Sequence, residues 1–219
     1  MSELPRTSPL VGFYANEGFA LTTGAPLRTG GTRRLAFDGA PFIADLSPLA
    51  RRYVCGAGAS AWLHSLGLPT PALCAYETFG RDGFVAHTGP REWLVSAGGA
   101  TVLPEGLNTS AGRDDVHAFD HECVEVALGG AAIPQLFGEL TATDLKQFAP
   151  GAFVPLLLAG NECWLRALPG PRAHWRVLCA PADGTFVFGT LLALVREAGG
   201  ALFGLDDFFS AYLTQEGQS

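Results

Sequence analysis

Three stretches of this 219-residue sequence hold residue types and spacings that could do chemistry. Gly56-x-Gly58-x-x-Ala61 lies between an extended run and an amphipathic one. In that setting the backbone N–H groups of a glycine turn can cradle a pyrophosphate, and Glu77 lies close to where an acid would bind a ribose hydroxyl. His117-x-x-x-His121-x-Cys123 has metal-ligating types, and on a helix its spacing would put both imidazoles on one face. Asp114-Asp115 places two carboxylates, the group that takes a proton in general base catalysis, in a loop before a strand.

Each stretch also has a plainer reading. The strand before Gly56 contains Arg51 and Arg52, whereas a central parallel strand is almost wholly apolar. The helix after it must stop near Leu66, because Gly67, Pro69 and Pro71 follow at once. Asp120 and the strand pattern beyond it make His117–Cys123 a loop leading into a strand, with no fourth ligand in view. Asp114 and Asp115 read as a solvated loop pair. Gly-x-Ser-x-Gly, Walker and His-Glu-x-x-His motifs are absent. Trp62, Trp93, Trp164 and Trp175 fall on expected core faces. The residues therefore predict no catalytic, cofactor or metal site in this chain.

The elements that carry these residues repeat. Residues 53–66 and 126–140 each read as a strand, a glycine turn and a short amphipathic helix. Gly56, Ala59 and Leu63 align with Gly129, Ala132 and Leu136, while Leu66 and Leu140 fall one residue out of step. Around them the sequence predicts strands over 35–46 and 51–55 and a hairpin of 84–88 with 91–95 about Gly89-Pro90. It also predicts a strand over 122–128 with a helix at about 133–140, and a hairpin of 161–168 with 174–180. A longer helix is expected over 186–198, and a last short one opened by Asp206 and Asp207. The fold class is α+β: duplicated strand–Gly–helix units with antiparallel hairpins. The expected organisation is an irregular N-terminal arm, 1–34, and a single α+β domain, 35–219, with two pseudo-repeated halves.

Ile43-Ala44-Asp45-Leu46-Ser47, the unit 53–66 and Leu68-Pro69-Thr70-Pro71 resemble the gamma subunit of heterotetrameric sarcosine oxidase, within the wider family of glycine-cleavage T-protein and folate-binding domains. The resemblance continues through Gly89-Pro90-Arg91-Glu92-Trp93-Leu94-Val95, Val124-Glu125-Val126 to Asp144-Leu145, and Phe148-Ala149-Pro150-Gly151. It ends with Trp175-Arg176-Val177-Leu178 and the C-terminal helix, so it spans roughly residues 40–213. It implies a T-protein-like domain that is non-catalytic by itself and braces the folate-binding part of a large subunit. The implied bacterial, cytoplasmic complex has large (alpha), medium (beta) and small zinc (delta) partners. FAD, FMN, NAD, tetrahydrofolate and zinc would all reside in those partners, and the complex would oxidatively demethylate an N-methyl amino acid or related amine. In the folate-dependent aminotransfer members an essential Asp lies in a loop before a central strand. Asp114 and Asp115 match that placement, but not the surrounding Asn/Gly motif. A stand-alone folate-dependent aminomethyltransferase-like enzyme using one of them is the alternative.

Composition bears on partners independently. Charged residues make up 16% of the chain, against about 25% in ordinary soluble domains, and the mean hydropathy is +0.23. Such a low charge content suggests that part of the surface is covered by another protein. With a formal net charge of −7 and one lysine, Lys146, nucleic acid is not an expected partner. No apolar run approaches the length of a membrane span, and the N-terminus lacks a signal-peptide pattern. The five cysteines contain no Cys-x-x-Cys. Cys55, Cys123, Cys163 and Cys179 read as small hydrophobes in or beside strands. The arm carries apolar groups without a regular period, and Phe13, Tyr14 and Phe19 are its expected partner anchors.

Overall fold

Val124, Val126 and Leu128 alternate with Glu125, Ala127 and Gly129 in the strand around which half of the molecule is built, and all six residues are buried. The computed structural model describes residues 7–17, 39–108, 114–149, 151–168 and 174–214. In chain order the elements are α1 (Val11–Asn16), β1 (Phe42–Asp45), β2 (Arg51–Cys55), α2 (Ala59–Ser65), β3 (Tyr76–Phe79), β4 (Gly83–Gly89) and β5 (Glu92–Ser96). Then come β6 (His117–Asp120), β7 (Val124–Gly129), α3 (Ile133–Leu140), β8 (Phe153–Leu158), β9 (Asn161–Leu168), β10 (His174–Cys179), α4 (Pro181–Glu197), β11 (Ala201–Phe203) and α5 (Leu205–Thr214). The chain divides into two compact units. One comprises the described residues within Met1–Pro48, Cys123–Pro150 and Pro155–Ser219; the other comprises Leu49–Glu122 and Gly151–Val154.

The two sheets follow one plan. The five-stranded sheet has the order β3-β4-β5-β2-β6, and the six-stranded sheet, read from its far edge, β8-β9-β10-β7-β1-β11. In each, a strand leads through a glycine turn to a short helix, and a three-stranded meander then returns to pair with that strand. A further strand flanks its other side. Both central strands are antiparallel to both neighbours: β2 to β5 and β6, and β7 to β10 and β1. The flanking strands are exchanged. β1 immediately precedes β2 in the chain but pairs with β7, and β6 immediately precedes β7 but pairs with β2.

The repeat is real, with a register one residue different from that read in the sequence. Gly56 has φ +124° and Gly130, not Gly129, has the matching φ +108°. The Ala59 amide donates to the Gly56 carbonyl at 3.2 Å, and the Ile133 amide to the Gly130 carbonyl at 3.2 Å. This frame aligns Leu66 with Leu140 and Leu63 with Phe137. Gly129 remains glycine for another reason: a Cβ there would strike the Phe42 ring across the strand pair.

Helix α4 begins at Pro181, before the expected start near 186, with Asp183 in its first turn. Proline suits the first helical position because its missing N–H would have no partner there. Gly184 lies within the helix, where a Cβ would collide with Val124 of β7, so it permits close helix-to-sheet approach. Gly199 ends the helix with φ +77°, as its position predicts. The connection from β8 to β9 is a two-residue turn with positive φ at both Ala159 and Gly160, the twist that joins antiparallel strands. In the other unit, Trp62 and Leu63 of α2 pack on Val54, Val85, Trp93 and Val95. The segment preceding β1 also departs from an irregular path: Val11–Asn16 is helical, and Leu10 and Tyr14 share its buried face. Among the described residues no helix is long and apolar enough to cross a membrane.

Candidate functional site

The Gly56–Ala61 turn does not form a dinucleotide site. Its strand is antiparallel on both sides, whereas the phosphate cradle belongs to a parallel crossover. The room left by the missing side chains is filled from within the chain. A Cβ on Gly56 would run into the carbonyl of Asp115, and one on Gly58 into the Asp115 carboxylate. The Gly58 amide donates to the Asp115 carbonyl at 3.1 Å. An anion approaching this turn would meet a carboxylate. Glu77 is exposed on β3, at the far edge of that sheet from β6.

Asp114 and Asp115 are both exposed in the turn before β6. The structure gives Asp115 a definite role, closing the β2–α2 turn, that the sequence reading did not supply. His117 lies on β6, an edge strand, and is exposed. Four residues of extended chain span about 13 Å, so His117 and His121 are too far apart in such a segment to share one ion. The His121 amide donates to the Arg51 carbonyl at 3.2 Å, and its ring lies 5.5 Å from that of Tyr53. Burial first, and the positive charge of Arg51 second, lower its pKa. Cys123 is buried. Among the described residues no three His, Cys, Asp or Glu side chains converge as metal ligands.

The six-stranded sheet instead contains a buried polar system that the sequence reading did not assign. Asp45 ends β1 with its carboxylate enclosed. One oxygen accepts the Ser47 amide at 2.9 Å and the Ser47 hydroxyl at 2.5 Å. The other accepts the Tyr14 hydroxyl at 2.9 Å and the Ser8 hydroxyl at 2.6 Å. Ser47 Oγ accepts the Glu125 amide at 3.2 Å, and the Leu46 amide donates to the Glu125 carbonyl at 2.8 Å. The fully buried Glu125 carboxylate accepts from Arg176 Nη1 at 3.1 Å. Arg166 is directly opposite Arg176 on β9 and equally buried.

This arrangement is built for position. Asp45 ties together α1, the turn after β1 and, through Ser47, the start of β7. Asp45 has hydroxyl and amide donors and Glu125 a guanidinium partner, so both carboxylates are satisfied where they are desolvated. One sequence signal was available: Asp45, Glu125 and Arg176 are charged residues inside otherwise apolar strands.

The predicted partner anchors fall differently. The Phe13 ring makes an edge contact with Phe188 at 5.3 Å, and Tyr14 with the same ring at 5.6 Å. Tyr14 is 1% exposed. Burial, then the nearby Asp45 charge and its hydrogen bond, raise the Tyr14 phenol's pKa. Phe19 lies outside the described residues.

Two sheets flanked by short helices, with one strand–Gly–helix and meander plan used twice, define the T-protein-like α+β fold. No family model matches the chain, and no curated protein matches it in sequence. Solved structures do match. A chain of heterotetrameric sarcosine oxidase from Corynebacterium sp. U-96, in complex with pyrrole 2-carboxylate, superposes with TM-score 0.66 at 18% identity over 90% of this chain and 97% of that one. Glycine cleavage system aminomethyltransferase T from Bartonella henselae superposes with TM-score 0.66 at 12% identity over 92% of this chain and 59% of that one. At these identities the likeness is one of fold.

Proposed function

We propose that this chain is a non-catalytic, gamma-type subunit of a cytoplasmic, heterotetrameric sarcosine oxidase-like complex that oxidatively demethylates an N-methyl amino acid or related amine. The observation that carries the reading is mutual coverage. The structural match covers 97% of one sarcosine oxidase chain and 59% of the aminomethyltransferase, which supports likeness to a whole subunit of that complex. In this reading its role is to brace the folate-binding part of a large subunit. The large and medium partners, with a small zinc partner, hold the FAD, FMN, NAD, tetrahydrofolate and zinc.

We place an assembly contact on α1. Leu10 and Tyr14 fix the helix to its own unit, while Val11 is 41% exposed on its outer side. Phe13 lies at the margin of this face, and Phe19 remains an expected anchor. Deletion of the arm would remove core residues together with the contact, so Val11→Asp is the cleaner probe. Co-expression with the neighbouring large and medium chains should give a yellow multi-chain complex that this chain alone does not form, and Val11→Asp should weaken it. Recovery of this chain free of partners, with aminomethyl transfer that is lost in Asp115→Asn, would overturn the reading in favour of the stand-alone enzyme.

A further inference from the structure

We propose that Cys163 and Cys179 form a reversible intrachain disulfide, a modification site that clips β9 to β10 at the start of α4. The two residues are directly opposite one another in the antiparallel pair. Directly opposed residues have Cα atoms about 4.5 or 5.5 Å apart, depending on which ladder position they occupy. Both values lie within the roughly 4.4–6.8 Å that a disulfide spans. Cys163 and Cys179 point to the same face of the sheet as Val124, which pairs with Cys179 and packs beneath Gly184 of α4. Cys163 is 3% exposed and Cys179 is 6% exposed.

The Cys179 thiol donates to the Cys163 sulfur, which lowers the Cys163 pKa and raises that of Cys179. Asp183 in the first turn of α4 acts against a thiolate at either sulfur. With either sulfur attacking, the other resolves. On the route through Cys163, with hydrogen peroxide as oxidant, its thiolate attacks one peroxide oxygen. The O–O bond breaks, one water leaves after protonation and a sulfenic acid remains. The Cys179 sulfur then displaces the second water as its proton is lost. Two thiols give up two electrons and two protons in all, and one peroxide becomes two waters. Opposed Cβ atoms in such a pair stand about 4.5–5.5 Å apart, beyond the ~3.8 Å mean of a disulfide. The proposal does not depend on the subunit reading.

The test uses the full native chain. It is treated with hydrogen peroxide, alkylated under denaturing conditions and mapped by peptide mass spectrometry. The expected result is a linked pair of peptides carrying Cys163 and Cys179, lighter by two hydrogens, with Cys55, Cys74 and Cys123 alkylated. Dithiothreitol should return all five thiols. Cys179→Ala should stop at a Cys163 sulfenic acid that dimedone captures. If that variant does not fold, the map of the unaltered chain decides alone. Alkylation of both Cys163 and Cys179 after peroxide, oxidation of Cys163 to sulfinic acid beside a free Cys179, or linkage to other cysteines would overturn the proposal.

Discussion

The Tyr14 hydroxyl donates to the Asp45 carboxylate at 2.9 Å across 31 residues of sequence. With the Ser8 hydroxyl, which reaches the same oxygen from 37 residues away, it joins α1 and the residues before it to the six-stranded sheet. Tyr14→Phe should keep the packing on Phe188 and lose this charge-assisted bond, a cost of about 1.5–3 kcal/mol in urea or thermal unfolding. The pH dependence has a definite sign. The folded state raises the Tyr14 phenol above its usual value, so it favours the neutral form. That contribution is complete below about pH 10, the unfolded value, and is lost as the pH rises beyond it. The alkaline limb of the stability profile should be shallower in Tyr14→Phe; an unchanged limb would exclude the phenol as its source.

Removing one side of the buried Glu125–Arg176 pair should be severe. Glu125→Leu takes the carboxylate from Arg176, and Arg176→Met takes a charged donor from Glu125, each at about 3–5 kcal/mol. The double variant should be less destabilised than the sum of the two. Equilibrium unfolding of all four proteins gives the coupling, and simple additivity would show that the pair does not act as a unit.

The two turn glycines beside Asp115 should answer differently to repair. Gly56→Ala meets the Asp115 main chain and a positive φ, so it should cost roughly 2 kcal/mol whatever residue 115 is. For Gly58→Ala the three nearest atoms all belong to the Asp115 side chain. Asp115→Ala should therefore restore much of the loss, with a coupling of about 1 kcal/mol. Melting temperatures of the single and double variants check both statements.

At the β8–β9 turn, Ala159 has φ +50° and is followed by Gly160 at φ +82°. An L-alanine is strained there, whereas Asn-Gly is the preferred pair for such a turn. Ala159→Asn should raise stability by about 0.5–1 kcal/mol. A lower melting temperature would show that the turn is held by contacts the alanine makes.

What the sequence determined by itself was local and periodic. Alternation fixed β7, the glycine turns fixed where α2 and α3 start, and Gly199 fixed where α4 stops, because each depends on residues within a turn or two. The expected hairpin of 161–168 with 174–180 put Cys163 and Cys179 on neighbouring strands, but the register that sets them directly opposite came from the structure. Other features needed the tertiary structure. The register of the repeat rested on which glycine takes a positive φ, and Gly129 and Gly130 differ in that only once Phe42 and Pro41 pack against them. The exchange of β1 and β6 leaves no local mark, because a strand's pattern records that one face is buried and not which strand lies beside it. The glycine fingerprint was misleading for the same reason: only the antiparallel neighbours and Asp115 show that its cradle is filled. Asp45, Glu125 and Arg176 were visible as charges within apolar strands, but their partners lie far along the chain. A buried charge is tolerable only where the fold brings its counterpart to it.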